Sequence, residues 1–178
     1  MNFLKKTKYL VMILFFLIFT LNSINSFATN ELKMNVIQNV TKAANYVKQY
    51  GREKAVCRFN RKTGKNTNVN YIFAFVCNDN IENDGFFIAN PLTPMYNFRK
   101  NNDIYIVRRM LTDTKKYPNG SWYNYCWLNP ANNQYQIKHS YVIMLRSQKI
   151  CIGSGYYSNI SCQPLKYIEQ NKQYKKHK

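Results

Sequence analysis

Between Ser121 and Tyr157 the chain offers three apolar, aromatic-rich segments in succession, separated only by turn residues. Ser121 to Trp127 (SWYNYCW) is dense in aromatic side chains, which suit a pleated, half-buried surface. Ile137 to Arg146 alternates, with Ile137, His139, Tyr141, Ile143 and Leu145 on one side. Lys149 to Tyr157 is the third segment. Leu128 to Tyr135, with Asn129-Pro130, predicts a hairpin loop, and Ser147-Gln148 a turn. Strands joined by hairpins must run antiparallel. Upstream, Tyr71 to Cys77 (YIFAFVC) reads as a central strand. A polar turn, Asn78 to Gly85, leads to its hairpin partner, Gly85 to Ala89. Asn90-Pro91 and Pro94 then impose an extended, irregular connection. Asp103 caps a helix through Lys116, with Ile104, Val107, Met110 and Leu111 on its apolar face. Before the strands, Val36, Ile37, Val40, Ala44 and Val47 recur at helical spacing opposite Lys33, Lys42 and Lys48. Thr29-Asn30 caps that long helix, Gly51 ends it, and a second helical turn covers Glu53 to Phe59. Arg61 to Asn70 is loop. The order predicts an α+β domain: a long N-terminal helix and one five-stranded antiparallel sheet with helices on a face.

The N-terminus sets the compartment in which this domain folds. Lys5, Lys6 and Lys8 precede an apolar run from Leu10 to Leu21, and Ser26-Phe27-Ala28 supplies small residues at a cleavage site. At 12 residues the run is short of the ~20 that span a bilayer as a helix. Residues 1–28 are therefore read as a signal peptide, 29–162 as the domain and 163–178 as a basic tail. The mature protein is expected in the periplasm or outside the cell; the alternative is a domain anchored by an uncleaved N-terminus. The chain carries a formal charge of +18, and loss of the three leader lysines leaves +15. Such a charge draws a protein towards anionic partners: a small anion, a membrane surface or nucleic acid. Export argues against the last. The mature part holds Cys57, Cys77, Cys126, Cys151 and Cys162, and an exported chain can oxidise them. Cys151 could bridge to Cys162 and Cys57 to Cys77; alternatively most remain small buried hydrophobes. No CxxC spacing supports a zinc site.

Catalytic constellations are missing from the sequence. The histidines are His139, mid-strand, and His177, in the tail; the eight acids are scattered; GxSxG and P-loop patterns do not occur. No enzyme, cofactor or metal is expected. The consecutive strands instead carry aromatic and cationic residues: Tyr71, Phe73 and Phe75, then Trp122, Tyr125 and Trp127, then Lys138 and Tyr141. Aromatic walls with a few polar groups suit a small-molecule pocket, in which a desolvated lysine and tyrosine hydroxyls hold a carboxylate. Each of these aromatics would equally serve as core. Strict alternation puts Lys138 and Tyr141 on opposite faces, so both line one pocket only across a bulge or from its rim.

At these residues the chain resembles the single Cache domain of bacterial extracytoplasmic sensors. Tyr71, Phe73 and Gly85 match the first hairpin of that family, and Asp103 its helix start. Gly120, Trp122, Tyr125, Trp127 and Pro130 match the third strand, Lys138, Ser140, Tyr141 and Val142 the fourth, and Gly153, Gly155 and Tyr157 the last. The resemblance runs from about Val36 to Tyr157 and implies a PAS-like fold with a pocket for a small ligand, often a short organic acid. Asn90 departs from it, standing before Pro91 where the family usually has histidine. The domain is read as standing free behind its leader and binding a small anionic metabolite, with another envelope protein as the recipient of ligand or signal. Lys138 anchors the anion, Tyr125 and Tyr141 donate hydrogen bonds, and Tyr71, Phe73, Phe75, Trp122 and Trp127 form the walls. The alternative is an exported basic interaction protein that keeps the fold without a working pocket and associates with a membrane or other surface through its charge. Cleavage after Ala28 predicts that the exported protein begins at Thr29 on N-terminal sequencing. An intact N-terminus recovered with the membrane fraction would contradict it.

Overall fold

The computed structural model describes residues 2–61, 71–77, 85, 87–90 and 104–163. The described elements, in chain order, are α1 (Asn2–Tyr50), α2 (Arg52–Asn60), β1 (Phe73–Val76), β2 (Phe87–Ala89), α3 (Ile104–Lys116), β3 (Ser121–Asn129), β4 (Gln134–Leu145) and β5 (Ile150–Ser161). The expected loop at 62–70, most of the turn at 78–84, Asp103, the Pro91–Pro94 connection and the tail beyond Gln163 lie outside the described residues. Contacts divide the chain into a unit ending at Asn35 and a unit beginning at Val36, and α1 contributes to both. Thr29-Asn30 is not a helix start, because α1 is continuous through it. Nothing between Phe27 and Leu32 breaks a helix, and a cap residue interrupts one only where the preceding residues leave the helical conformation. Gly51 ends α1 as expected, at φ 81, a left-handed conformation that costs glycine little. Among the described residues no helix is long and apolar enough to cross a membrane.

The five strands form one antiparallel sheet in the order β2-β1-β5-β4-β3. Helices cover both faces, not one. On one side α3 sets Val107, Met110 and Leu111 against Phe73, Phe75, Phe87, Tyr123 and Val142. On the other, Ala43, Ala44 and Val47 of α1 and Ala55 of α2 pack on Ala74, Ala89, Ile150 and Ile152. Alanines on β1 and β2 meet α1 and α2, while the aromatic face leaves a small space beside α3.

The β3–β4–β5 arms are longer than the sequence suggests. Half of the expected eight-residue loop from Leu128 to Tyr135 is strand, and its asparagines make a tight turn within it. Asn129 and Asn132 side chains accept hydrogen bonds from the backbone N–H groups of Ala131 and Gln134, at 3.0 and 3.1 Å. Asn133 takes the left-handed conformation at φ 57. Such local side-chain bonds substitute for ladder bonds at the reversal, so pairing continues up to it. Leu128 pairs with Tyr135, and Gln136 with Ser161 beyond a bulge in the β4–β5 ladder.

Two disulfides staple this sheet, and neither is an expected pairing. Cys77 joins Cys151 across β1 and β5, and Cys126 of β3 joins Cys162 just after β5, while Cys57 is exposed and free. The Cys77–Cys151 pairing follows strand adjacency, with β1 lying against β5, and not nearness in sequence. Nor are most of the cysteines buried thiols. Peptide mapping without reduction should show these two linkages, and only Cys57 should alkylate in the folded protein. Removing the Cys77–Cys151 link as the double serine variant should cost about 2–5 kcal/mol in urea unfolding, because it closes a chain separation of 74 residues.

Candidate functional site

The side chains that build the site come from alternate positions of neighbouring strands. On β4, Gln136, Lys138, Ser140 and Val142 are buried, whereas Ile137, His139, Tyr141 and Ile143 are only half-buried on the opposite face. The sequence pattern marks the apolar set as one face of the strand, yet the more enclosed face is the polar one, turned towards α3. Lys138, opposite Tyr125 on β3 and Tyr157 on β5, is 1% exposed. Its Nζ donates to the Tyr71 hydroxyl at 2.6 Å and lies 4.0 Å from the centre of the Tyr71 ring, 5.1 Å from that of Phe73 and 5.3 Å from that of Tyr157. Ring faces attract a cation, most strongly where water is excluded. Trp127 and Tyr157 bear on the electrostatics of the Tyr71 hydroxyl, and Tyr157 donates to the Leu128 carbonyl at 3.0 Å. Tyr125 and Ser140 share a hydrogen bond of 2.9 Å.

Phe73 is fixed by an absence of side chain beneath it. A Cβ on Gly153, its cross-strand partner, would lie 2.3 Å from the Phe73 ring. The aromatic wall therefore rests directly on β5 backbone, and any larger residue at 153 would push it into the cavity.

The open space beside Lys138 is small, about 10 Å³, room for about one water molecule. Tyr71, Phe73, Tyr125, Trp127 and Lys138 line it. Five further lining residues were not among the sequence candidates: Phe87 and Asn90 from β2 and its exit, and Ile106, Val107 and Met110 from α3. The helical spacing of Val107 and Met110 marks them as core, but nothing in the spacing says which part of the core stays open. Asn90 is buried; its backbone N–H donates to Asn60 Oδ1 at 2.9 Å, and Asn60 Nδ2 donates to the Ile88 carbonyl at 2.9 Å. The last residue of α2 thereby holds the end of β2 at the cavity.

Three expected site residues lie elsewhere. Phe75 stacks with Phe73 and Phe87 in the core beside α3 and does not reach the cavity. Trp122 and Tyr141 are cross-strand partners on the opposite face, with ring centres 5.4 Å apart. No bulge separates Lys138 from Tyr141 along the β3–β4 ladder, so alternation keeps them apart. Tyr141 donates to the Asn119 carbonyl at 2.7 Å and lies over Gly120, where a Cβ would sit 2.2 Å from the tyrosine oxygen. Gly120 adopts φ +118, open to glycine and to little else. This glycine and tyrosine fasten the turn between α3 and β3 and leave the cavity to others.

The electrostatics of the site are one-sided. Burial pulls the Lys138 ammonium down to about 7. Burial likewise pushes the Tyr71 and Tyr157 hydroxyls well above their ordinary value, so both stay neutral. The acids among the described residues are Glu31, Glu53 and Asp113, and none lines the cavity. Asp113 faces Arg109 at 3.7 Å on the outer side of α3. No group of three or more His, Cys, Asp or Glu side chains among the described residues could hold a metal ion. Among the described residues the site offers one cationic head, hydroxyl donors and apolar walls. It can neutralise one anionic group and cover a short apolar remainder.

No protein-family model matches the chain, and no curated protein matches it. Solved structures do. A methyl-accepting chemotaxis protein from Vibrio parahaemolyticus superposes with a TM-score of 0.55 at 15% identity, over 78% of this chain and 93% of that one. A Cache chemosensory domain studied for carboxylic acid recognition superposes with a TM-score of 0.52 at 18% identity, over 74% of this chain and 95% of the other. A periplasmic sensor domain of a chemotaxis protein gives a TM-score of 0.50 at 12% identity, covering 68% and 87%. The α+β architecture, with its long N-terminal helix and five-stranded antiparallel sheet, is the fold these solved structures share.

Proposed function

We propose that this protein is an exported Cache-type ligand-binding domain that takes a small monocarboxylate on Lys138 and passes the bound state to another envelope protein. One observation carries the reading: a lysine 1% exposed, in an aromatic setting, with no carboxylate among the described residues within its cavity. Burying a charge without a counter-charge is expensive, and a stable core would do as well with an apolar residue. A carboxylate ligand supplies what the site lacks. The likeness to a domain studied for carboxylic acid recognition supports the same ligand class. The leader and the two disulfides support export, since such bonds persist where the surroundings are oxidising.

The ligand must be short, because about 10 Å³ is open beside Lys138 and any larger occupant has to displace side chains around it. That small volume is also what favours the second reading, a basic interaction protein with a closed core. Arg58, Arg61, Arg108, Lys116 and Arg146 are exposed, and such cations bind polyanions without a pocket.

Thermal shift of the mature domain against two- to four-carbon carboxylic acids separates the two. Bound ligand raises apparent stability by RT ln(1 + [L]/Kd), about 2.7 kcal/mol at a hundredfold excess over Kd. Lys138→Ala should abolish the shift, while Lys116→Ala on the exposed surface of α3 should keep it. Equal, salt-sensitive losses from both would favour the interaction protein. Lys138→Met tests the energetics of the same residue. It should lose ligand binding yet stabilise the unliganded domain by about 1–4 kcal/mol near pH 6 in urea unfolding. The folded-state value of Lys138 lies below its unfolded one, so the penalty is complete below about 7 and fades as pH rises towards the model-peptide value of 10.5. The advantage of the methionine should shrink over that interval. A destabilised Lys138→Met at pH 6 would mean that the lysine serves the fold.

A further inference from the structure

We propose that the site takes up its ligand together with a proton, so that it responds to the acid RCOOH and not to the carboxylate concentration alone. The inference rests on the carboxylate reading above and goes beyond it in assigning the proton. Each element packed against Lys138 Nζ can be examined for a group able to keep it charged. The β1 side gives the Tyr71 hydroxyl, 2.6 Å away, and the Phe73 ring; β3 gives Tyr125 and Trp127; β5 gives Tyr157. The exit of β2 gives Asn90, and α3 gives Ile106, Val107 and Met110. Among the described residues, every titratable group in this set is a tyrosine. Burial holds the hydroxyls of Tyr71 and Tyr157 neutral, so they solvate an ammonium without cancelling its charge.

An amine so enclosed sheds its proton near neutrality, and burial sets that point at about 7. An arriving carboxylate reverses the balance. Ammonium and carboxylate pair in a poorly solvated space, which favours the charged form of the lysine. Above neutral pH the step is therefore RCOO⁻ plus Lys138-NH₂ plus H⁺ from solvent, giving the RCOO⁻···⁺H₃N-Lys138 pair. Charge balances, and the complex is neutral as a whole. Below neutral pH the proton is already in place and the carboxylate binds alone. At constant carboxylate, occupancy rises as the surroundings acidify. A domain of this kind registers an acid load.

Titration calorimetry on the mature domain with acetate and with propionate tests this, each in two buffers of different ionisation enthalpy. Near pH 8.5 the buffer dependence should report uptake of almost one proton per ligand, and near pH 6 only about a tenth of one. Affinity should fall about 30-fold between those pH values. In the wild-type protein the carbon-13 resonance of Lys138 Cε should titrate near neutrality when unliganded, and well above it with saturating propionate. Binding at pH 8.5 with identical heats in both buffers, or a Cε resonance that titrates near the ordinary lysine value without ligand, overturns the proposal and leaves the carboxylate reading intact. Absence of binding by either acid at pH 6 overturns the carboxylate reading itself and this inference with it.

Discussion

The hydrogen bond from Lys138 to Tyr71 ties the middle of β4 to the residues entering β1, across 67 positions of sequence and across the intervening β5. Much of the aromatic face is arranged around that tie. Phe73 lies against the same ammonium and rests on the bare backbone at Gly153, and the Tyr157 ring faces the ammonium as well. Because the lysine needs hydroxyls and ring faces around it, this part of the core cannot be packed with aliphatic side chains alone. A small cavity remains beside α3. The polar group and the open space are thus two aspects of one arrangement, and both come at a cost to stability that an all-apolar core avoids.

The rest of the molecule offsets that cost by covalent and helical means. Helices pack on both sheet faces, so the opposite face is a conventional core of alanine, valine and isoleucine. The two disulfides close the sheet at β1–β5 and at the far end of β3. They hold the frame of the site independently of what the cavity contains.

The order of elements was legible in the sequence because turn residues and aromatic-rich segments report local preferences. Gly51, Val107, Met110 and the strands around Phe73 and Tyr125 are where those preferences indicate. What was not legible depends on the third dimension. Apolar alternation on β4 points to Ile137, Tyr141 and Ile143, and only the packing of α3 reveals that the side with Lys138 and Ser140 is the enclosed one. Trp122 and Tyr141 carry the same residue types as a binding wall, yet one face of the sheet separates them from the cavity. The Cys77–Cys151 disulfide follows from β1 lying beside β5, an adjacency invisible in sequence order. Within the resemblance to Cache domains, Gly120 and Tyr141 proved to be partners in a turn, so a shared motif residue need not be a shared ligand contact.

The central claim is that Lys138 is a cation kept for an anion brought from outside the chain. A crystal structure of the mature domain with bound propionate tests it most directly. The account predicts a carboxylate oxygen within about 3 Å of Lys138 Nζ, with the apolar tail among Phe87, Val107 and Met110. A propionate seated elsewhere, or a carboxylate of the protein itself paired with Lys138, would contradict it.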